Sequence, residues 1–325
     1  MRAREDIINQ AARYPLRFEL IYQYRLWGGR RLGELLTTPL PSGPVGEAWT
    51  LSDRDDHSSR VADGPLKGQT VGQLLAQFPQ QLLGRLAGRF RRFPLLLKFL
   101  DAHEMLSVQV HPSDANMSLL PPGETGKTEA WVVVEAAPES RIYAGLKAGT
   151  TPDDLRRALT NGTVADAWFI PKSGDGVFVP AGTVHALGGD VVAFEIQQNS
   201  DVTFSLYDWD HVDAKTGQRR PLQIDQALAC IDFAQDGAAG LVTPVVEATT
   251  PADRERLFHC EHFWLWRLRG QSPLPSVPRV CRAYWYASTA RGRWSTSSPI
   301  MPSEKAPYCS YRRWSESALF IRTVQ

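Results

Sequence analysis

Between Gly174 and Leu187 the chain reads GDGVFVPAGTVHAL, and this stretch leaves little freedom in what can be built around it. Val177-Phe178-Val179 is a β-branched and aromatic run bounded by Gly174-Asp175-Gly176 and by Pro180-Ala181-Gly182. It reads as a short strand with a turn at each end. The spacing Gly-x5-Pro-x-Gly-x2-His, from Gly174 to His185, has a mechanical reason at each step. The glycines and the proline make a tight corner, and His185 emerges on the inner face of the return strand. With 23 prolines and 25 glycines in 325 residues, the chain suits many short strands joined by turns.

A second stretch, Met105 to Trp131, completes a pattern with the first. Ser107-Val108-Gln109-Val110-His111 alternates polar and apolar residues, which predicts a half-buried strand with Gln109 and His111 on one face. Pro112 ends that strand. Further on, Lys127-Thr128-Glu129-Ala130-Trp131 leads into Val132-Val133-Val134 and places Lys127 and Glu129 on a common face, expected on the neighbouring strand. A single strand histidine is most often a satisfied core residue. The joint pattern of Gln-x-His, Lys-x-Glu and a corner histidine argues instead for a cage. Two imidazoles, one carboxylate and one amide oxygen can close around a divalent metal and leave room for water or substrate.

The remaining sequence narrows the class. A formal net charge of +1 gives no reason to expect nucleic acid or a membrane surface as partner. The N-terminus MRAREDIINQAARYP has no apolar centre, and no run approaches the length of a membrane span. Cys230, Cys260, Cys281 and Cys309 lack Cys-x-x-Cys spacing and read as free thiols in a reducing compartment. A cytoplasmic enzyme is expected.

Along the chain, Arg4 to Ala12 reads as a short helix and Pro15 to Tyr24 and Glu47 to Ser52 as strands. Thr70 to Phe93 is the clearest helical region: Val71, Leu74, Leu75 and Phe78, then Leu82, Leu83, Leu86 and Phe90, recur at helical spacing as a packing face. Phe93 to Leu100 reads as a buried strand in which Lys98 must either snorkel or serve a site. Thr151-Pro152-Asp153-Asp154 opens a helix with an N-cap threonine and proline at the first position. Val191 to Gln197 and Val202 to Trp209 are strands, and Leu222 to Cys230 is a helix.

Residues 1–235 are expected to form one domain, with the helical segment 70–93 inside it, and 236–325 a smaller β domain with strands at Val242–Glu247 and Phe258–Leu268. After about residue 271 the texture changes: eight basic residues face two acidic ones, a net +6, and the earlier alternation is lost. The simpler reading is an atypical or incomplete end to the β domain. The alternative is a basic surface for an anionic partner.

Gly174 to His185 resembles the second sequence motif of the cupin superfamily of small β-barrels. The longer strings PLLLKFLDAHEMLSVQVHPSD, GKTEAW, PAGTVHALGG and EIQQNSDVTF-LYDWD, in that order, resemble type I mannose-6-phosphate isomerases of the bacterial class. The likeness runs from about Pro15 to Phe233. It implies a mainly β fold: a jelly-roll cupin barrel with a helical insertion and a smaller C-terminal β domain.

It also implies an activity, a metal-dependent aldose–ketose isomerisation of mannose 6-phosphate to fructose 6-phosphate. The resemblance gives Zn2+, one per chain, held by Gln109, His111, Glu129 and His185, although a mixed nitrogen and oxygen set also admits Fe2+, Mn2+ or Co2+. Lys127 and Glu195 match residues suggested to act in catalysis. Ser107 and Lys98 match positions thought to meet the sugar phosphate, and Ser205 stands where the family carries an arginine bearing on catalysis and substrate charge. Serine supplies neither bidentate contacts nor fixed charge, so turnover is expected to be impaired. The alternative is a non-catalytic sugar-phosphate-binding or regulatory cupin with a structural metal. The partner expected is a small sugar phosphate, the oligomeric state a monomer or weak homodimer.

Overall fold

The computed structural model describes residues 16–36, 38–161, 168–213, 216–234, 240–249 and 253–269, and the backbone of the strands Ala287–Ala290, Arg293–Ser295 and Ser317–Thr323. The protein is mainly β. Seven strands form the larger sheet, in the spatial order Ile21–Gln23, Glu47–Leu51, Leu95–Ala102, Val191–Gln198, Glu129–Ala136, Gly176–Val179 and Leu241–Val242. Five form a second: Phe204–Tyr207, Val108–Val110, His185–Leu187, Ile142–Ala144 and Trp168–Phe169. Every adjacent pair is antiparallel. The two sheets face each other as a barrel of the expected cupin kind.

The Leu95–Ala102 and Val191–Gln198 strands are buried along their whole length, so their alternation is hidden from a polar–apolar reading. The register pairs Lys98 with Glu195 and Glu195 with Trp131. Period two then turns Lys98, Leu100, Glu129, Trp131, Ala193 and Glu195 into the barrel. Leu95, Leu97, Phe99, Val132, Phe194 and Ile196 face the other way, into the main apolar core. The helices Val71–Gln77 and Pro79–Leu83 cover that outer face with Leu74, Leu75, Leu82 and Leu83. A capping box between Thr70 and Gln73 starts the first. Helix does not continue to 93: Gly84 and Gly88 adopt positive φ, and Phe90, expected in the packing face, is 41% exposed.

At the corner, Gly182 has φ 86°, a conformation that favours glycine. Its amide donates to the His111 carbonyl at 2.8 Å, so the turn before His185 is tied to the residue that ends the Val108–Val110 strand. Beyond the return strand, a Cβ on Gly188 would lie 1.8 Å from the Arg141 carbonyl oxygen. Backbone cannot give way as a side-chain tip can, so Gly188→Ala is expected to lose about 1–3 kcal/mol of stability. Urea unfolding monitored by tryptophan fluorescence measures it, and a midpoint equal to wild type would show that this strand pair shifts freely.

Three further expectations are corrected by the structure. Glu129 does not lie on the strand next to Gln109 and His111 but in the opposite sheet. Pro112 stops the first strand, and the long segment after it carries the chain across the barrel. The expected strand Phe258–Leu268 is a hairpin, Asp253–His259 and Phe263–Arg269, turning at Cys260-Glu261-His262, where no glycine or proline marks the turn. Val242–Glu247 is two strands separated by Thr243-Pro244: Leu241–Val242 joins the larger sheet, and Val245–Ala248 edges a third one. That third sheet has the order Val245–Ala248, Asp253–His259, Phe263–Arg269, Ser317–Thr323, Ala287–Ala290, Arg293–Ser295. The helix expected over Arg4 to Ala12, most of the stretch after 271, and Cys281 and Cys309 lie outside the described residues. No helix among the described residues is long and apolar enough to cross a membrane.

Candidate metal centre and cavity

The Val108–Val110 strand lies between His185–Leu187 and Phe204–Tyr207, and Gln109 is directly opposite His185 on one side and Ser205 on the other. Glu129 enters from the facing sheet. His185 Nε2 is 3.3 Å from Glu129 Oε1, and His111 Nε2 is 3.4 Å from Glu129 Oε2. The three side chains are at most 1% exposed.

The tautomers follow from the second ring nitrogens. His111 Nδ1 donates to the Val202 carbonyl at 2.9 Å, and His185 Nδ1 to the Thr183 carbonyl at 2.8 Å. Burial, reinforced for His111 by Lys127, keeps both rings neutral: His111 is lowered to about 3 and His185 is lowered as well. Each Nε2 therefore offers a lone pair towards Glu129. Burial would raise the Glu129 carboxyl, but Lys127 and the two imidazoles outweigh it and hold it ionised, well below the usual range. Neither Glu129 oxygen accepts an aligned hydrogen bond; Lys127 Nζ, 2.9 Å from Oε2, is an off-line ionic contact.

A cluster of acceptors with no proton to share is what a buried cation requires. Ligands about 2.1 Å from a tetrahedral metal stand about 3.4 Å apart, close to the separations here. His111, Glu129 and His185 can thus hold a metal ion, and they are the cluster of this kind among the described residues. Gln109 sits at the fourth corner, its side-chain Nε2 3.2 Å from His185 Nε2 and its Oε1 accepting from Ser107 Oγ at 3.3 Å. Rotating the amide by half a turn exchanges O and N in the same volume and presents the oxygen to the cage.

Above the cage is a cavity of about 570 Å³ lined by Ser107, Gln109, Lys98, Lys127, Trp131 and Glu195, among others. Glu195 Oε2 accepts from Trp131 Nε1 at 3.1 Å, whereas Oε1 has no hydrogen-bond donor and lies 3.3 Å from Lys98 and 4.0 Å from Lys127. Burial and the charge of Glu129 raise Glu195 to about 7, despite the two lysines. Lys98 is held charged by Glu195 and Glu47, which more than offset its burial. Burial likewise disfavours the Glu47 carboxylate, yet Lys98 and Arg25 bring it down to about 2.

Ser107, Lys98, Lys127 and Glu195 thus share one cavity. Ser205 does not line it; it is 2% exposed and its Oγ is 3.1 Å from Ser107 Oγ. Two groups escaped the sequence reading. Trp131 lies two residues after Glu129, so strand periodicity could have placed its indole in the barrel. Arg25, whose Nε donates to Glu47 Oε1 at 3.0 Å, carried no sequence signal. His211 and Arg219 are engaged at the rim, with Glu104 at 3.2 Å and Asp210 at 2.7 Å respectively.

Comparison with known proteins gives concordant results. The family model of the type I phosphomannose isomerase catalytic domain matches residues 16–132. A mannose-6-phosphate isomerase of Bacillus subtilis (strain 168) is 39% identical over 220 residues, covering 67% of this chain and 68% of that protein. The mannose-6-phosphate isomerase of Streptococcus mutans serotype c is 37% identical over 232 residues, 71% of each. Among solved structures, a mannose 6-phosphate isomerase from Bacillus subtilis superposes with a TM-score of 0.82 at 25% identity, covering 95% of this chain and all of the other.

Proposed function

This chain belongs to the type I phosphomannose isomerase family, and we propose that it is a metal-dependent aldose–ketose isomerase that interconverts mannose 6-phosphate and fructose 6-phosphate. The observation that carries this reading is the cage of two neutral imidazoles, His111 and His185, and the Glu129 carboxylate, set beneath a cavity that also holds Lys127 and Glu195. Isomerisation requires an opened sugar, a proton moved between C1 and C2, and stabilisation of the negative charge that develops on the enediol oxygens. Zn2+ is the metal we assign, held by His111, Glu129, His185 and the Gln109 amide oxygen, with Fe2+, Mn2+ or Co2+ compatible with the same donors. Bound there, the ion would supply Lewis-acid polarisation of substrate oxygens.

The chain's own groups divide the remaining work. Glu195 Oε1, free of donors and facing the cavity, is the atom placed to take and return the proton. Trp131 orients it by holding Oε2. Lys127 stands between Glu129 and Glu195 and offers an ammonium proton to a developing oxyanion. Lys98 and Ser107 line the wall along which the sugar phosphate extends towards the cavity entrance. Ser205 in place of an arginine slows turnover without removing binding. The division into a catalytic barrel to about residue 235 and a smaller β unit, a monomeric or weakly dimeric state and a cytoplasmic setting belong to the same proposal.

Ser205 is also the observation that favours a second reading, a sugar-phosphate-binding or regulatory protein in which the metal braces the fold. A coupled assay of fructose 6-phosphate formation, run beside metal analysis of the purified protein, separates them. Turnover that chelator abolishes and added metal restores is expected; metal-loaded protein with no turnover above background would leave the second reading standing.

A further inference from the structure

Trp209 and Asp210 follow directly on the Ser205 strand, and both adopt left-handed backbone conformations, φ 52° and 59°. Neither is glycine, so the surrounding structure must hold this turn in place. Two anchors do so. The Trp209 indole donates to the Leu106 carbonyl at 2.7 Å, one residue before Ser107. Further on, the Gln223 amide donates to the Ser205 carbonyl at 2.9 Å, and the Ser205 amide donates to Gln223 Oε1 at 3.1 Å. The loop is thereby returned beside position 205, and Arg220, three residues before Gln223, lines the cavity.

The Arg220 guanidinium is oriented by Asp208. Nη2 donates to Oδ1 at 3.2 Å, and Nε lies 3.2 Å from Oδ2. Asp208 is buried while Arg220 is about a third exposed, which places the guanidinium at the solvent end of the cavity. Its Nη1 takes no hydrogen-bond partner among the described residues. The charges deeper in are already matched: Lys98 faces Glu195 and Glu47, and Lys127 faces Glu129. A phosphate carrying about two negative charges finds at Arg220 a planar, permanently charged donor with one side unoccupied.

We propose that Arg220, with Asp208 as its positioning residue, binds the phosphate of the substrate at the cavity entrance and supplies the anion-binding charge that Ser205 lacks. This rests on the sugar-phosphate reading given above. The test compares the metal-loaded wild-type protein with Arg220→Gln in isomerase kinetics and in calorimetric binding of glucitol 6-phosphate and of unphosphorylated glucitol. Arg220→Gln is expected to raise KM and the Kd for glucitol 6-phosphate roughly ten- to a hundred-fold, with kcat and glucitol binding little changed. Arg220→Lys, which keeps charge but loses the planar fork, should fall between. Arg219 lines the same cavity but is two-thirds exposed and paired with Asp210, so Arg219→Gln should stay within about three-fold of wild type. In a Ser205→Arg background the effect of Arg220→Gln should shrink. Equal KM and Kd in wild type and Arg220→Gln, or the larger loss appearing in Arg219→Gln, overturns the assignment while turnover by the wild type keeps the isomerase reading intact. A wild type that neither binds glucitol 6-phosphate nor turns over removes the underlying reading, and Arg220 with it.

Discussion

Glu129→Gln is expected to purify folded but nearly free of divalent metal, with turnover reduced by at least about a thousand-fold. The swap keeps size and shape and removes the one anionic donor of the cage. Disturbing groups that only support metal ligands already costs about ten- to a hundred-fold in affinity, so deleting the ligand charge itself should exceed that. A second consequence follows from Lys127, whose ammonium is 2.9 Å from Glu129 Oε2 and 3.0 Å from His111 Nε2. With Glu129 neutral, the ammonium loses its nearest counter-charge and keeps its hydrogen bond to the His111 lone pair, in competition with any incoming cation. Elemental analysis reads the first effect directly. Thermal unfolding offers an independent check, because a ligand at a hundred times its Kd stabilises the wild type by about 2.7 kcal/mol, a shift that Glu129→Gln should not show. Stoichiometric metal in this variant would mean that the imidazoles and Gln109 hold the ion without Glu129.

The cage was legible in the sequence because each of its parts carries a local signature. His185 follows a corner that needs a glycine at positive φ, and Gln109 with His111 obeys period two. What the sequence could not give was the route between the parts. Glu129 reaches His111 across the barrel, and the seventeen residues between them have no periodicity to show which sheet the chain will join. Lys98 stood out as a lysine in an apolar run, but its site role, like that of Glu195, came only through resemblance, because strands buried on both faces lose the alternation that marks an interior side. Arg25, two residues past the Ile21–Gln23 strand, meets Glu47 because Gln23 pairs with Glu47 across the sheet, and no local pattern encodes that register. The turn at Cys260 to His262 was missed for a simpler reason: its residues are not turn formers, and pairing of the flanking strands imposes it.

Charge explains why so polar a floor is tolerated. Arg25, Glu47, Lys98, Glu195, Lys127 and Glu129 alternate in sign through contacts of 3.0, 3.8, 3.3, 4.0 and 2.9 Å. A buried charge without a partner costs several kcal/mol, so each member of this series stabilises the next. The series also has no slack. A cation added at its end must be matched by a ligand that is already ionised, as Glu129 is, and a substrate anion must find a further partner, because both lysines are already paired.

Position 205 is where that constraint bears on rate. Ser205→Arg is expected to raise kcat by roughly a hundred- to a thousand-fold, the scale on which removing a preorganised charge from a developing oxyanion acts in reverse. The wild-type hydroxyl is spent on Ser107 and does not reach the cavity, so little is lost: one neutral hydrogen bond, about 1 kcal/mol. An arginine grown from this strand would extend past Ser107 into the cavity, over the floor formed by Gln109 and Lys127. Arg220 cannot substitute fully there, because Asp208 fixes it at the rim, where it meets the charge present in both ground and transition states. Binding charge at the rim lowers KM, whereas charge over the reacting carbons lowers the barrier. The substitution should therefore act on kcat far more than on KM, with Ser205→Lys giving a smaller gain for want of the planar fork. A folded, metal-loaded Ser205→Arg protein with wild-type kcat would show that the serine costs this enzyme nothing, and that its rate is set at another step.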